Sequence, residues 1–120
     1  MSRFASMTQI GDVLVVSINE DLPDGEAELL LASLTQKVDT FDARGVLIDV
    51  SALDIVDTFL GQVLGHLAKT MGIMGAETVL VGMQPAVAST LVELGMTLPD
   101  LRCALTITRA MAMLKKREGR

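Results

Sequence analysis

Residues 46–81 have the sequence VLIDVSALDIVDTFLGQVLGHLAKTMGIMGAETVLV, and most of the architecture follows from this segment. It opens with the apolar run Val46–Val50 and closes with the run Thr78–Val81, each typical of a buried strand. Between them, apolar residues recur at the three- and four-residue spacing of one helix face. These residues are Leu60, Val63, Leu64, Leu67, Ala68 and Met71. Two buried strands joined by an amphipathic helix predict a parallel β-α-β unit.

The alternation of strands and helices extends upstream of this unit. Val13–Ile18 predicts another buried strand, and Gln9-Ile10 followed by Gly11-Asp12 predicts a short first strand and a tight hairpin. Asp24, after Pro23, is the expected N-cap of a first helix. The predicted apolar face of that helix comprises Ala27, Leu30, Leu31, Leu34, Val38 and Phe41.

Downstream of the unit, Gln84-Pro85 predicts the start of a third helix. A weak last strand is expected over about residues 103–106, and Thr108 is the expected cap of a final helix through Leu114. The third helix should face inward through Val87, Ala88, Leu91 and Leu94, with Gly95 as its C-cap.

The resulting order, β-β-α-β-α-β-α-β-α, predicts an α/β domain. We expect a mostly parallel sheet of about five strands with an antiparallel N-terminal edge hairpin and about four helices. Residues 1–120 are expected to form a single domain, because a chain of this length normally builds one core.

Composition and charge argue against several classes of function. The chain carries a net charge of −5, and residues 12–57 alone hold eleven acidic and two basic residues. An acidic surface without Trp or Tyr argues against nucleic-acid binding. Apolar runs of about six residues are too short to span a membrane, which needs about 20. The absence of a secretory signal in residues 1–7 makes a cytoplasmic location the expectation.

The residues that could carry catalysis or hold a cofactor are few. The sequence contains neither a phosphate-binding loop, G-x-x-x-x-G-K or G-x-G-x-x-G, nor a G-x-S-x-G nucleophile elbow. Cys103 and His66 are the single cysteine and the single histidine, which excludes cysteine-based zinc and multi-histidine metal sites. We interpret Cys103 as a buried structural thiol and His66 as a solvated residue. The expectation is therefore a non-enzyme without cofactor or metal.

The segment Asp54–Leu60 is unusual because a hydroxyl, that of Thr58, stands at the start of an amphipathic helix among several aspartates. One interpretation is structural: Asp57 or Thr58 caps the helix by accepting a backbone N–H. The other is a phosphorylation switch, in which a phosphate on Thr58 is favoured by the helix dipole and opposed by Asp49, Asp54 and Asp57. Both interpretations can hold together. Phe59 is either a partly exposed contact beside the switch or an edge of the core.

Three segments together resemble the STAS domain family, the fold of anti-sigma-factor antagonists. They are Val46–Ser51, Asp54–Phe59 and Met74–Ala88, and the resemblance extends over essentially the whole chain. Within the family, Gly82–Ala88 followed by Thr90–Gly95 resembles the stressosome branch. That branch contains sensor-bearing subunits and bare STAS scaffold subunits of the RsbS type, and a chain of this length resembles the latter.

The resemblance implies a large assembly with a sensor-bearing STAS paralogue. It further implies a switch serine/threonine kinase that the scaffold holds and that phosphorylation releases, and a cognate phosphatase that resets the system. The phosphoacceptor would be Thr58, where bare scaffold subunits usually carry serine and sensor-bearing subunits commonly carry threonine. Thr90 occupies the place of a second acceptor of the sensor-bearing subunits. We interpret Thr90 as an ordinary hydroxyl on a helix face. Asp54, Asp57 and Phe59 would shape kinase docking.

Two alternatives stay open at the level of sequence. A receiver-like domain would be phosphorylated on Asp57 and would use Glu20-Asp21 as a metal-binding pair. That chemistry requires a lysine after the last strand, where the sequence has Leu105–Thr108. A nucleotide-binding STAS module is the other alternative, although the sequence shows no phosphate cradle.

Overall fold

The structure is a computed structural model that describes residues 4–20, 22–54, 57–93 and 102–118. Strands and helices alternate after an initial pair of strands, as the sequence predicts. The elements are β1 (Ala5–Ile10), β2 (Val13–Ile18), α1 (Asp24–Phe41), β3 (Gly45–Asp49), α2 (Thr58–Ile73), β4 (Glu77–Val81), α3 (Pro85–Glu93), β5 (Arg102–Ala104) and α4 (Ile107–Glu118).

The five strands form one mixed sheet in the order β1-β2-β3-β4-β5. β1 pairs with β2 in the antiparallel direction, and the other neighbours pair in parallel, which confirms the predicted fold class. Gly11 turns the hairpin with φ of +61°, a value that glycine adopts without strain. β1 is longer than predicted because it pairs along the full length of β2, from Ala5 opposite Ile18 to Ile10 opposite Val13.

The sheet separates two apolar cores of unequal size. α1, α2 and α3 pack on one face, against strand residues such as Val46 and Ile48, and α4 packs on the other, against Leu47 and Val79. This arrangement follows from the strand order, because right-handed crossovers between successive neighbouring strands place every connecting helix on the same face. Among the helices of the described ranges, α4 alone, which follows the last strand, lies on the opposite face.

Two helix starts differ from the predictions. α1 begins at Asp24 itself, and the N-cap position is Pro23, which has no side-chain oxygen to accept a bond. At α4, the Thr106 hydroxyl accepts a hydrogen bond from the Arg109 amide at 3.1 Å, so Thr106 and not Thr108 caps the helix. A capping side chain commonly accepts from the amide three residues further along the chain. Thr106 stands at that distance from Arg109, whereas Thr108 is its direct neighbour. The predicted Leu94 contact and Gly95 cap lie outside the described residues.

Two side chains that were predicted to be buried are exposed. Phe41 is 43% exposed, with the Lys37 ammonium 5.8 Å from its ring centroid. Cys103 is exposed because β5 has three residues and lies at the sheet edge. Desolvation by the atoms around the sulfur nevertheless raises the pKa of the Cys103 thiol, which disfavours the reactive thiolate. His66 is exposed, as predicted.

Candidate functional site

The N-terminus of α2 presents an exposed hydroxyl on a capped helix end. Asp57 is the N-cap, and its carboxylate accepts a hydrogen bond from the Leu60 amide at 2.8 Å. Thr58 is the first residue of the helix and is exposed. The capping role therefore belongs to Asp57, while the Thr58 side chain faces solvent at the positive end of the helix dipole. Asp57 thus caps the helix, as the structural interpretation predicts. Thr58 has the accessibility that a phosphoacceptor needs.

Polar contacts at the carboxyl edge of the sheet hold residues 51–54, which follow β3. Asp49 accepts a hydrogen bond from the Ser51 amide at 2.9 Å. The side-chain amide of Gln84 donates to the Ser51 carbonyl at 3.1 Å and to the Asp54 carboxylate at 3.2 Å. The loops after neighbouring parallel strands meet at this edge, which is where ligand and partner sites of α/β sheets usually lie.

Gln84 is a site residue that the analysis of the sequence missed. The sequence places it before Pro85, the first residue of α3, and within a segment of the family resemblance, but neither observation assigns it a role at the site. The available signal was its position directly after β4, because the segments that follow β3 and β4 must be adjacent if those strands pair in parallel. The identity of its partners, 30 and 33 residues away in sequence, required the structure.

A shallow apolar groove lies beside this end of α2. Phe59 is 37% exposed, and it lines a cavity of about 350 Å³ between α1 and α2. Phe59 is therefore partly exposed in this groove, next to Thr58. The groove is lined by Ala27, Glu28, Leu31, Phe59, Gln62, Val63, His66 and Leu67.

The remaining predicted acceptor, Thr90, has different surroundings. It is exposed on α3, and its hydroxyl donates a hydrogen bond to the Ala86 carbonyl at 2.9 Å. This bond to the carbonyl four residues earlier is common for threonine within a helix and agrees with the structural interpretation of Thr90.

The described residues can also be checked for metal-binding clusters and for membrane-spanning helices. Within them, no group of three or more histidine, cysteine, aspartate or glutamate side chains has an arrangement that would hold a metal ion. Glu20, half of the acidic pair in the receiver hypothesis, lies just after β2, and Asp21 lies outside the described residues. Of the helices described, none is both long and apolar enough to cross a bilayer.

Several curated relatives of this chain are RsbT co-antagonist proteins. RsbRD of Bacillus subtilis (strain 168), an RsbT co-antagonist protein, is 24% identical over 86 residues, which is 72% of this chain and 31% of RsbRD. The chain thus spans about a third of that relative.

Solved structures give longer matches. RsbS of Moorella thermoacetica, in a form with a serine replaced by glutamate, matches with a TM-score of 0.85 and 32% identity. That match covers 99% of this chain and 100% of RsbS. A chain from a structure of the stressosome, described as a signal integration and transduction hub, matches with a TM-score of 0.83 and 32% identity, over 94% and 98% of the two chains. The family model of the STAS domain matches residues 4–110. Fold, sequence similarity and the matched family model agree that this chain belongs to the STAS domain family.

Proposed function

We propose that this protein is a non-catalytic scaffold of a bacterial stress-signalling complex, switched by phosphorylation of Thr58. The observation that carries the proposal is the exposed Thr58 hydroxyl on a helix end already capped by Asp57. The 32% identity to RsbS along nearly the whole chain, and the match to a stressosome chain, support the scaffold role. We propose a cytoplasmic protein that assembles with copies of itself or with a sensor-bearing STAS paralogue.

The switch would operate through charge rather than through refolding. A phosphate on Thr58 adds about −1.5 to −2 charges at neutral pH. The amide dipoles of the first turn of α2 favour that charge, whereas Asp54 and Asp57 oppose it. Because Asp57 already bonds the Leu60 amide, the helix end needs no rearrangement to receive the phosphate. The expected result is an unchanged fold with a more negative surface around Thr58.

The surface beside Thr58 is our proposed docking site for a switch serine/threonine kinase. It combines the exposed part of Phe59 in the α1–α2 groove with the carboxylates of Asp54 and Asp57. A new phosphate next to Phe59 would draw water to the apolar contact and weaken it, which releases the kinase. A cognate phosphatase would restore the binding surface. Relatives named RsbT co-antagonists make an RsbT-type protein our candidate kinase.

The proposal is tested by incubating the protein with the RsbT-type kinase and ATP, followed by intact mass measurement and site mapping. One added phosphate on Thr58 is the expected result, together with weaker capture of the kinase by the phosphorylated form. Phosphate on another residue at full stoichiometry, or neither phosphate nor kinase binding, would contradict the proposal.

The two alternative functions have less support. A receiver domain is doubly wound with helices on both faces, whereas the three crossover helices here share one face. The Asp57 carboxylate is also engaged as a helix cap. Phosphate that is lost in hydroxylamine would indicate an acyl phosphate on Asp57, and phosphate that survives would indicate phosphothreonine. A nucleotide-binding module would be detected by direct titration with ATP or GTP.

A further inference from the structure

We propose that Gln84 is a positioning residue for the phosphoacceptor end of α2, because its side-chain amide bonds Ser51 and Asp54 in the segment that follows β3. The inference rests on the proposed function, since it concerns the same site. Gln84 lies in the Gly82–Ala88 segment that contributes to the family resemblance, but neither the phosphoacceptor nor the docking groove includes it.

The Gln84 amide makes two hydrogen bonds, both to the loop after β3. One goes to the Ser51 carbonyl at 3.1 Å and the other to the Asp54 carboxylate at 3.2 Å. The start of the same loop is anchored separately, by the Val50 amide on the Val81 carbonyl at 3.0 Å. The segments that follow β3 and β4 are thus bonded to each other beyond the ends of the strands. The Gln84 bonds extend this contact to Asp54, which lies three residues before the N-cap of α2.

The close approach of the two loops depends on a glycine. Gly82 has φ of +74°, and a Cβ atom at this position would lie 2.8 Å from the Ser51 Cβ. Any side chain there would push Ser51 away from β4. Gly82 thus allows the contact, and Gln84 then bonds the loop that has been brought near.

The chemistry of the two acceptors explains why an amide is suited to this position. A carbonyl oxygen and a carboxylate both need a donor, and the glutamine NH₂ group supplies two N–H bonds. A glutamate at position 84 would have no proton to donate at neutral pH. It would also bring two carboxylates to about 3 Å from each other, an arrangement that like charges oppose.

The experiment compares Gln84→Glu with Gln36→Glu, which makes the same charge change on the exposed surface of α1. Amide hydrogen exchange is followed by NMR at Ser51 and Leu53, whose N–H groups bond Asp49 and the Val50 carbonyl. We expect exchange at both amides to be at least about five-fold faster in Gln84→Glu, because both hydrogen bonds of the Gln84 amide are lost and one bond alone corresponds to about that factor. Equal exchange rates in the two variants would overturn the inference.

A double variant tests whether the effect arises from this contact and not from a general loss of folding. In Gln84→Glu with Asp54→Asn, the new amide at position 54 can donate to the new carboxylate at position 84. Exchange at Ser51 and Leu53 should move back toward the wild-type rate, by the logic of a double-mutant cycle. A double variant that exchanges faster than Gln84→Glu would contradict a direct contact.

Phosphorylation kinetics separate this inference from the proposed function. With the RsbT-type kinase, Gln84→Glu should reduce the kcat for Thr58 about five-fold, whereas its added charge beside Asp54, part of the proposed docking surface, should act on KM. Wild-type kcat together with faster loop exchange would overturn the positioning role and leave the switch intact. If the kinase does not phosphorylate the wild type, the proposed function fails, and the exchange measurements alone decide whether Gln84 holds the loop.

Discussion

Thr58 and Thr90 are both exposed threonines on helices that follow parallel strands, yet they lie at opposite helix ends. Thr58 begins α2, next to a carboxylate that already caps the first turn. Thr90 lies in the last described turn of α3 and donates its hydroxyl to the Ala86 carbonyl. A negative charge is stabilised at a helix N-terminus and destabilised at a C-terminus. The helix dipole therefore favours a negative charge at Thr58, our proposed acceptor, over one at Thr90.

The sharpest test of this difference removes each hydroxyl in turn. Thr58→Ala should abolish kinase-dependent phosphate incorporation, because the proposed acceptor oxygen is gone, while Thr90→Ala should retain the wild-type stoichiometry. Intact mass after incubation with the RsbT-type kinase and ATP measures both. Undiminished incorporation in Thr58→Ala, or its loss in Thr90→Ala alone, would reverse the assignment of the two residues.

The two helices also differ in how firmly the sheet holds them. α2 buries Leu60, Gly61, Leu64, Leu67, Ala68 and Met71, whereas α3 buries Val87 and Leu91 among its described residues. Leu64 is fully buried, so Leu64→Ala should lower the free energy of unfolding by about 2–5 kcal/mol in urea denaturation. Val92→Ala, at a position that is 75% exposed on α3, should change it by less than about 0.5 kcal/mol. Similar losses in the two variants would show that the buried Leu64 contributes no more to stability than the exposed Val92.

The cap at the start of α2 gives an intermediate effect. Asp57→Ala removes the acceptor of the Leu60 amide and should destabilise the protein by about 0.5–2 kcal/mol, whereas Asp57→Asn should recover most of the loss. Asp39→Ala, which removes an exposed carboxylate from α1, is the matched control and should change stability by less than about 0.5 kcal/mol. Chemical denaturation distinguishes these values. A loss in Asp39→Ala as large as that in Asp57→Ala would argue that net charge, and not the cap, is responsible.

The smallest effect concerns a charge at each helix end. Thr58→Glu should be more stable than Thr90→Glu by about 0.3–1 kcal/mol, because the first places a negative charge at a helix N-terminus and the second near a C-terminus. The difference should shrink at 1 M salt, where exposed charges are screened. If Thr90→Glu is the more stable variant at low salt, the nearby Asp54 and Asp57 outweigh the dipole of α2, and the charge argument for Thr58 fails.

Much of this architecture could be predicted because it depends on local patterns. The run Val13–Ile18 and the apolar stripe of α2 identify their elements directly, since burial imposes the periods of strand and helix. A prediction from the sequence is wrong where two nearby residues fit the same local pattern, such as that of a helix cap. Thr106 and Thr108 are both acceptable caps, and only the position of the Arg109 amide distinguishes them. Cys103 lies in an apolar context, but the exposure of β5 depends on its place at the sheet edge.

The sequence by itself determined the order of elements, the helix that begins at Thr58 and the resemblance that makes Thr58 the candidate acceptor. These properties are encoded in residues that are close together in the chain. Tertiary structure decided whether Asp57 or Thr58 caps α2, how far Phe59 is exposed in the groove, and that Gln84 bonds Ser51 and Asp54. The physical reason is that parallel pairing of β3 with β4 joins loops about 30 residues apart, and local periodicity carries no information about such contacts.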